Sequence, residues 1–166
     1  MLNIEKISSE YIVRKLEEKD INDILQLMIS NPTYYKYCPP QPSINSIKED
    51  MLALPPNKDY NDKYYIGLFS DELVCVMDLI DNYPDNNILF IGFFMMDKKY
   101  QGKGKASIIF KELENYCENK YNEIRLGYVK DNNESKSFWI KNGFKPTGVI
   151  SHQEFYDVVV MNKILK

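Results

Sequence analysis

The most constraining feature of this chain is the run from Ile88 to Met96, apolar almost throughout, with the glycine-containing segment Tyr100-Gln101-Gly102-Lys103-Gly104-Lys105-Ala106-Ser107 close behind it. A strand with one wet face alternates apolar and polar residues, so a run without alternation predicts a strand covered on both faces. Past Gly104 the period changes, and Ala106, Ile109, Leu113, Tyr116 and Cys117 recur at helical spacing up to about Glu118. Buried strand, glycine loop and amphipathic helix therefore follow one another, which sets a helix N-terminus at the end of a central strand.

The remaining segments supply the cover that such a strand needs. Tyr11 to Leu16 reads as a first strand. Asp20 is expected to cap a helix in which Ile21, Ile24, Leu25 and Met28 form one apolar stripe, and Pro32 is expected to stop it. Asn31 to Pro40 reads as a loop that packs Tyr34, Tyr35 and Tyr37 between prolines. A second helix runs from about Ser43 to Leu54, where Pro55-Pro56 ends it. Tyr64 to Phe69 and Leu73 to Asp81 form a hairpin around Ser70-Asp71-Glu72. After the central helix come a strand at Glu123 to Val129, a short helix at Asn133 to Asn142, and strands at Gly143 to Ile150 and Phe155 to Ile164. Hairpin-linked strands precede a single strand–helix–strand unit. The predicted fold class is thus α/β in the α+β sense: a single mixed, largely antiparallel seven-stranded sheet flanked by about four helices.

Composition narrows the function classes. The 166 residues suit one domain spanning residues 1–166, long enough to bury about 70% of the unfolded chain's surface without a covalent staple. A net charge of −3 and a pI of about 5.3 argue against a protein that coats nucleic acid or anionic membrane. No apolar run approaches about 18 residues, and Met1-Leu2-Asn3-Ile4-Glu5 lacks a secretory core, so a cytoplasmic, non-membrane protein is expected. Cys38, Cys75 and Cys117 are odd in number and widely spaced, which reads as reduced thiols. With His152 as the one histidine and no Cys/His cluster, no metal site is predicted.

The chemistry is expected in the glycine loop. The first amides of a helix lack internal partners and carry the positive end of its dipole, so the loop is a candidate pyrophosphate cradle, with Lys103 and Lys105 adding charge. A glycine turn that merely opens a helix would look the same over so few residues. Two other phosphate loops fit poorly. A Walker loop needs Ser or Thr after Gly-Lys, where this chain has Ala106, and the dinucleotide fingerprint that starts at Gly102 and Gly104 fails at Ser107.

Gln101-x-x-Gly104-x-Ala106, after a strand and opening a helix, resembles the acyl-CoA signature Arg/Gln-x-x-Gly-x-Gly/Ala of the GNAT superfamily of N-acetyltransferases. Downstream, Asn132-x-x-Ser135-x-x-Phe138-Trp139-x-x-x-Gly143-Phe144 is similar to that family's second motif, and the order of elements matches too. The resemblance implies acetyl-CoA as cofactor. Its pantetheine arm would pair with Phe94, Met95 and Met96 in the gap between the fourth and fifth strands. The pyrophosphate would lie on the amides of Gln101, Gly102, Lys103, Gly104, Lys105 and Ala106, with Ser107 in reach. Asn132 would bond the pantetheine, and Ser135, Phe138 and Trp139 would line the channel.

By the same resemblance the activity is transfer of an acetyl group to a primary amine of a small molecule by direct attack. The Met95 or Met96 amide, with Met96 preferred, would donate to the carbonyl oxygen. Many relatives have a tyrosine where this chain has Trp139, and that tyrosine protonates the departing thiolate; an indole cannot. Tyr34, Tyr35 and Tyr128 are candidate substitutes, unassisted or water-assisted departure being the alternative. Asp78, inside the apolar stretch Val74 to Ile80, is a candidate base whose pKa burial would raise, or else a structural carboxylate. The loop bearing Tyr34 and Tyr35 is expected to shape the acceptor site or to be a lid packed on the sheet, and His152 and Glu154 to border that site. Two further readings stand beside the enzyme: a non-catalytic acyl-CoA-binding regulatory module, and acetylation of a protein amine. A homodimer paired through the C-terminal strands, where Val158-Val159-Val160 is strongly apolar, is also expected.

Overall fold

The computed structural model describes residues 1–166. Seven strands form one sheet: β1 (Ile12–Lys15), β2 (Lys63–Phe69), β3 (Leu73–Asp81), β4 (Ile88–Met96), β5 (Glu123–Val129), β6 (Lys145–His152) and β7 (Asp157–Ile164). Their spatial order is β1-β2-β3-β4-β5-β7-β6. Every pairing is antiparallel except that of β4 with β5, the two strands joined through the central helix. The expected architecture is therefore present. Five α-helices flank the sheet: α1 (Ile21–Ile29), α2 (Pro32–Tyr37), α3 (Ile44–Leu52), α4 (Lys105–Cys117) and α5 (Asn133–Lys141). No helix is long and apolar enough to cross a membrane.

The sheet carries a core on each face. On one face Ile109, Phe110, Leu113 and Cys117 of α4 and Trp139 of α5 pack on Ile66, Met77, Leu89, Ile91, Ile124 and Leu126. On the other, Ile24, Leu27 and Met28 of α1, Tyr35 of α2 and Ile47 of α3 pack on Tyr65, Val76 and Met95. Cover on both sides is why the central strands lack alternation.

Two local expectations need correction, and the C-terminal strands need placing. The tyrosine segment read as a loop contains helix α2, with Pro32 at its first turn, where a missing N–H costs nothing; Pro32 begins a helix rather than stopping one. Asp20 does not cap α1 through its side chain; its carboxylate instead takes both forks of the Arg14 guanidinium at 2.8 Å and the Glu17 amide at 2.8 Å. Val158 to Val160 do not lie on an open edge: β7 is held between β5 and β6, and β6 forms that edge.

The feature that builds the site lies in β4. Asp78 stands opposite Phe93, and Leu79 opposite Ile91, so Gly92 is an extra residue, a β-bulge. The parallel pairing of β4 with β5 also stops there, covering Ile88 to Ile91 against Glu123 to Leu126. Beyond the bulge the two strands diverge and leave a cleft.

Candidate active site

A cavity of about 550 Å³ opens where β4 and β5 part and extends to the start of α4. Gly102 and Gly104 hold φ of +85° and +73°, in the left-handed region that costs a side chain energy, and a Cβ at either would meet nothing within 4 Å. Open space over both glycines lets a ligand approach the backbone. The amides of Gly102, Lys103, Gly104, Ala106 and Ser107 donate to no protein acceptor. Lys98, Lys105 and Lys141 line the same cavity. Unpaired donors at the N-terminus of a 13-residue helix, in a cavity whose lining holds three lysines against the one carboxylate of Glu134, suit a diphosphate.

Of the residues expected to hold cofactor, Phe94, Met95, Met96, Gln101, Gly102, Gly104, Lys105, Ala106, Ser107, Asn132, Ser135, Phe138 and Trp139 all line this cavity. Lys103 does not; its exposed side chain stands outside. Asn132 is buried and its Oδ1 caps α5 by accepting from the Ser135 amide at 3.1 Å, which leaves its NH₂ group for the cavity. The Ser107 hydroxyl accepts from Asn142 Nδ2 at 3.2 Å and keeps its own proton to donate. Gln101 turns inward instead. Its Nε2 donates to Met96 O at 2.8 Å and to Asn31 Oδ1 at 2.6 Å, and Asn31 Nδ2 donates to the same carbonyl at 3.0 Å. The motif glutamine thus ties the end of β4 to the α1–α2 junction, and Asn31 is a member of the site that its sequence position did not reveal.

The backbone of β4 divides its amides between two sides. Asp97 N–H bonds Val74 O at 2.9 Å, and antiparallel alternation then turns the Met95 and Phe93 amides toward β3 and those of Met96 and Phe94 toward the cleft. Two amides therefore face the cleft.

A second cavity, of about 210 Å³, continues from the first between β4 and β5. Tyr34, Phe94, Ser135 and Trp139 line both. Tyr34 stacks edge-on against Phe93 and Tyr35, with ring centroids 6.0 and 5.0 Å away. Burial, then the Cys38 thiol, hold its phenol well above the ordinary tyrosine range. Trp139 is buried among Phe94, Phe110, Phe138 and Phe144, with centroids 4.8 to 5.6 Å away, so the indole is a packing residue that also walls the cleft. Tyr128 is buried in the second cavity's wall.

Asp78 lines neither cavity, but only Gly92 separates it from the second. A Cβ on Gly92 would stand 3.1 Å from its Oδ2. That oxygen accepts from Lys63 Nζ at 2.7 Å, and the Lys63 side chain is 3% exposed. Asp78 Oδ1 has no partner, nor has the nearby buried hydroxyl of Tyr65. Burial raises the Asp78 carboxyl above its ordinary range, with Lys63 opposing. Tyr35, on α2, is buried in the core with α1 and α3 and lines neither cavity. His152 and Glu154 stay outside both as well: the His152 Nδ1 lies 2.6 Å from Asp157 Oδ1 on an exposed strand end, and Glu154 is exposed in the turn that follows.

Comparison with known families adds a match of residues 11–145 to the acetyltransferase (GNAT) domain. The chain belongs to the GNAT superfamily of acetyl-CoA-dependent N-acetyltransferases. Solved GNAT-fold structures agree in architecture at low identity. An acetyltransferase from Thermus thermophilus superposes with a TM-score of 0.71 at 16% identity over 93% of this chain and 96% of that one. PaiA N-acetyltransferase from Thermoplasma acidophilum, solved with coenzyme A, gives 0.66 at 21% identity over 93% and 98%. Spermidine N-acetyltransferase from Vibrio cholerae, solved with CoA and spermine, gives 0.63 at 18% identity over 95% and 97%. No curated protein matches the sequence.

Proposed function

We propose that this GNAT chain transfers the acetyl group of acetyl-CoA to the primary amine of a small molecule. The observation that carries the reading is the meeting of two cavities of opposite character at Phe94 and Trp139. One is lined by free amides and lysines, and the other by aromatic and aliphatic residues with no charged side chain among them.

Bound acetyl-CoA supplies an activated thioester. The free amides of the α4 cradle and the Ser107 hydroxyl hold its diphosphate, while the Asn132 NH₂ and the Met96 amide bond the pantetheine. This departs from the expectation for Met96: the junction of the cavities lies at Phe94, one cleft-facing amide nearer the bulge, so the Phe94 N–H is the better-placed donor to the thioester carbonyl oxygen. Such a donor is worth roughly 10²–10³ in rate. The amine nitrogen bonds the acetyl carbon as the C–S bond breaks. Asp78, packed against the bulge glycine, is the carboxylate nearest the second cavity and takes the amine's proton by a water relay. Tyr34 keeps its proton at neutral pH and hydrogen-bonds the departing sulfur; its raised pKa makes full transfer unfavourable, so the thiolate leaves stabilised by that bond and takes up from solvent the proton the amine gave up.

Calorimetric titration with acetyl-CoA, with ATP and NAD as controls, followed by thiol release on adding amines, tests the reading. Saturable binding of acetyl-CoA alone, with amine-dependent thiol release, is expected. Binding without release by any amine would favour the non-catalytic acyl-CoA-binding module, the reading that Trp139 at the usual acid position supports.

A further inference from the structure

The second cavity has no charge. Twelve of its fifteen lining residues are hydrophobic, and the other three are Gly92, Gly127 and Ser135. We infer that the acceptor is a monoamine with an apolar, preferably aromatic, body, and not a polyamine. The inference rests on the acetyltransferase reading above and goes further by naming the acceptor class.

The walls come from three elements that only the fold brings together. Phe90 and Phe93 flank the bulge on β4, Tyr128 is on β5, and Tyr156 precedes β7. Aromatic faces of this kind attract one ammonium group and accept a flat apolar body beyond it. No carboxylate stands in the lining itself. That of Asp78 lies behind Gly92, so one ammonium at the bulge has a carboxylate close by and a second, deeper in the cavity, has no direct partner. Asp50, on α3, influences the Tyr156 phenol electrostatically, but its side chain is not part of the wall. Stripping water from an ammonium that gains no partner is strongly unfavourable. The cavity is also small, about 210 Å³ against roughly 300–1,000 Å³ for drug-sized ligand sites, which suits one ring and a short chain.

Transfer to such an amine balances as in the general reaction: the N–C bond forms, the thioester C–S bond breaks, the amine yields its proton, and coenzyme A leaves as the thiol. The test compares kcat/KM by thiol release for phenethylamine, n-butylamine, putrescine and spermidine, with acetyl-CoA and then hexanoyl-CoA as donor. Acetyl-CoA affinity is measured by calorimetry on the same protein. Phenethylamine is expected to exceed putrescine at least tenfold, and n-butylamine to exceed putrescine, its diamine of equal chain length. Tyr156→Glu, which sets a carboxylate in the wall at a half-exposed turn residue, should narrow the phenethylamine-to-putrescine ratio about tenfold.

Preference for putrescine or spermidine by a protein that binds acetyl-CoA would overturn the acceptor assignment and leave the acetyltransferase reading standing. Binding of acetyl-CoA with no release by any of these amines would overturn the acceptor assignment, and extending the failure to other amines would favour the non-catalytic module. A gain with hexanoyl-CoA that is indifferent to the amine would also overturn it, by giving the cavity to the acyl chain. Absence of acetyl-CoA binding would take down both readings.

Discussion

Substituting Gly104 separates backbone strain from charge at the proposed diphosphate cradle. Its φ of +73° admits Asn and Asp at about 1 kcal/mol each, and the added Cβ meets nothing within 4 Å, so neither variant creates a clash. At this chain length a loss of that size lowers Tm by about 2–4 °C, equally for both. The affinities should diverge. A carboxylate roughly 5 Å from one diphosphate charge, at an effective dielectric constant of about 20, is repelled by about 3 kcal/mol, or about 10²-fold in Kd. Salt screens part of this, since the Debye length is about 8 Å at physiological ionic strength. Calorimetric titration with acetyl-CoA should show Gly104→Asn weakened several-fold and Gly104→Asp weakened a further 10- to 100-fold, the gap closing as salt is raised. Matching melts with affinities within twofold of each other would refute the placement of the diphosphate on this loop.

Two further predictions concern the reacting centre. Asp78→Asn should remove the limb of the pH profile on which kcat/KM climbs as pH rises through the raised carboxyl value. It should leave Tm within about 2–4 °C, because burial already favours the neutral form of this carboxyl and Asn keeps an oxygen for Lys63 Nζ; adding Lys63→Met should not restore rate, and rate recovery would show that Asp78 is structural. The same raised carboxyl contributes stability below its ordinary pKa of about 3.9 and loses it as pH rises through the folded value, so acid alone should not melt this pair apart. Trp139→Phe should hold kcat within a few-fold, because the indole moves no proton. Trp139→Ala should cost about 3–5 kcal/mol from the cluster with Phe94, Phe110, Phe138 and Phe144, read as a fall in Tm of about 10 °C. A 10²-fold loss of kcat in Trp139→Phe would overturn that account.

The strand order was legible because hairpin and crossover lengths leave few topologies, and the cradle was legible because its glycines are punctuation within a strand-to-helix transition. Helix α2 was hidden by its own residues: Pro32 and Pro39 read as boundaries, and six residues are too few for a periodicity to show. Asn31, Lys63 and Tyr156 join the site through partners far away in sequence, as with Lys63 and Asp78 on neighbouring strands, and nothing local marks such contacts. His152 and Glu154 were placed near the acceptor by likeness to relatives; in this chain the turn between β6 and β7 aims them at solvent, and Tyr156 faces the cavity instead.

The bulge at Gly92 had a visible signal, a glycine inside an apolar run, yet its consequence is a matter of parity. Leu89 and Ile91 face the α4 side of the sheet, and so do Phe94 and Met96, which two-residue alternation from Ile91 would send to the opposite face. One extra residue makes the switch. It carries the cleft-facing amides of Phe94 and Met96 past the end of the β5 pairing, where nothing in the sheet claims them. It also leaves a residue without Cβ over the Asp78 carboxylate, since a side chain there would stand 3.1 Å from Oδ2. Because β4 is apolar on both faces, hydrophobicity cannot distinguish the bulged register from the straight one. The register is set by hydrogen bonds to β3, and those bonds turn two amides into the gap and leave the Asp78 carboxylate behind Gly92.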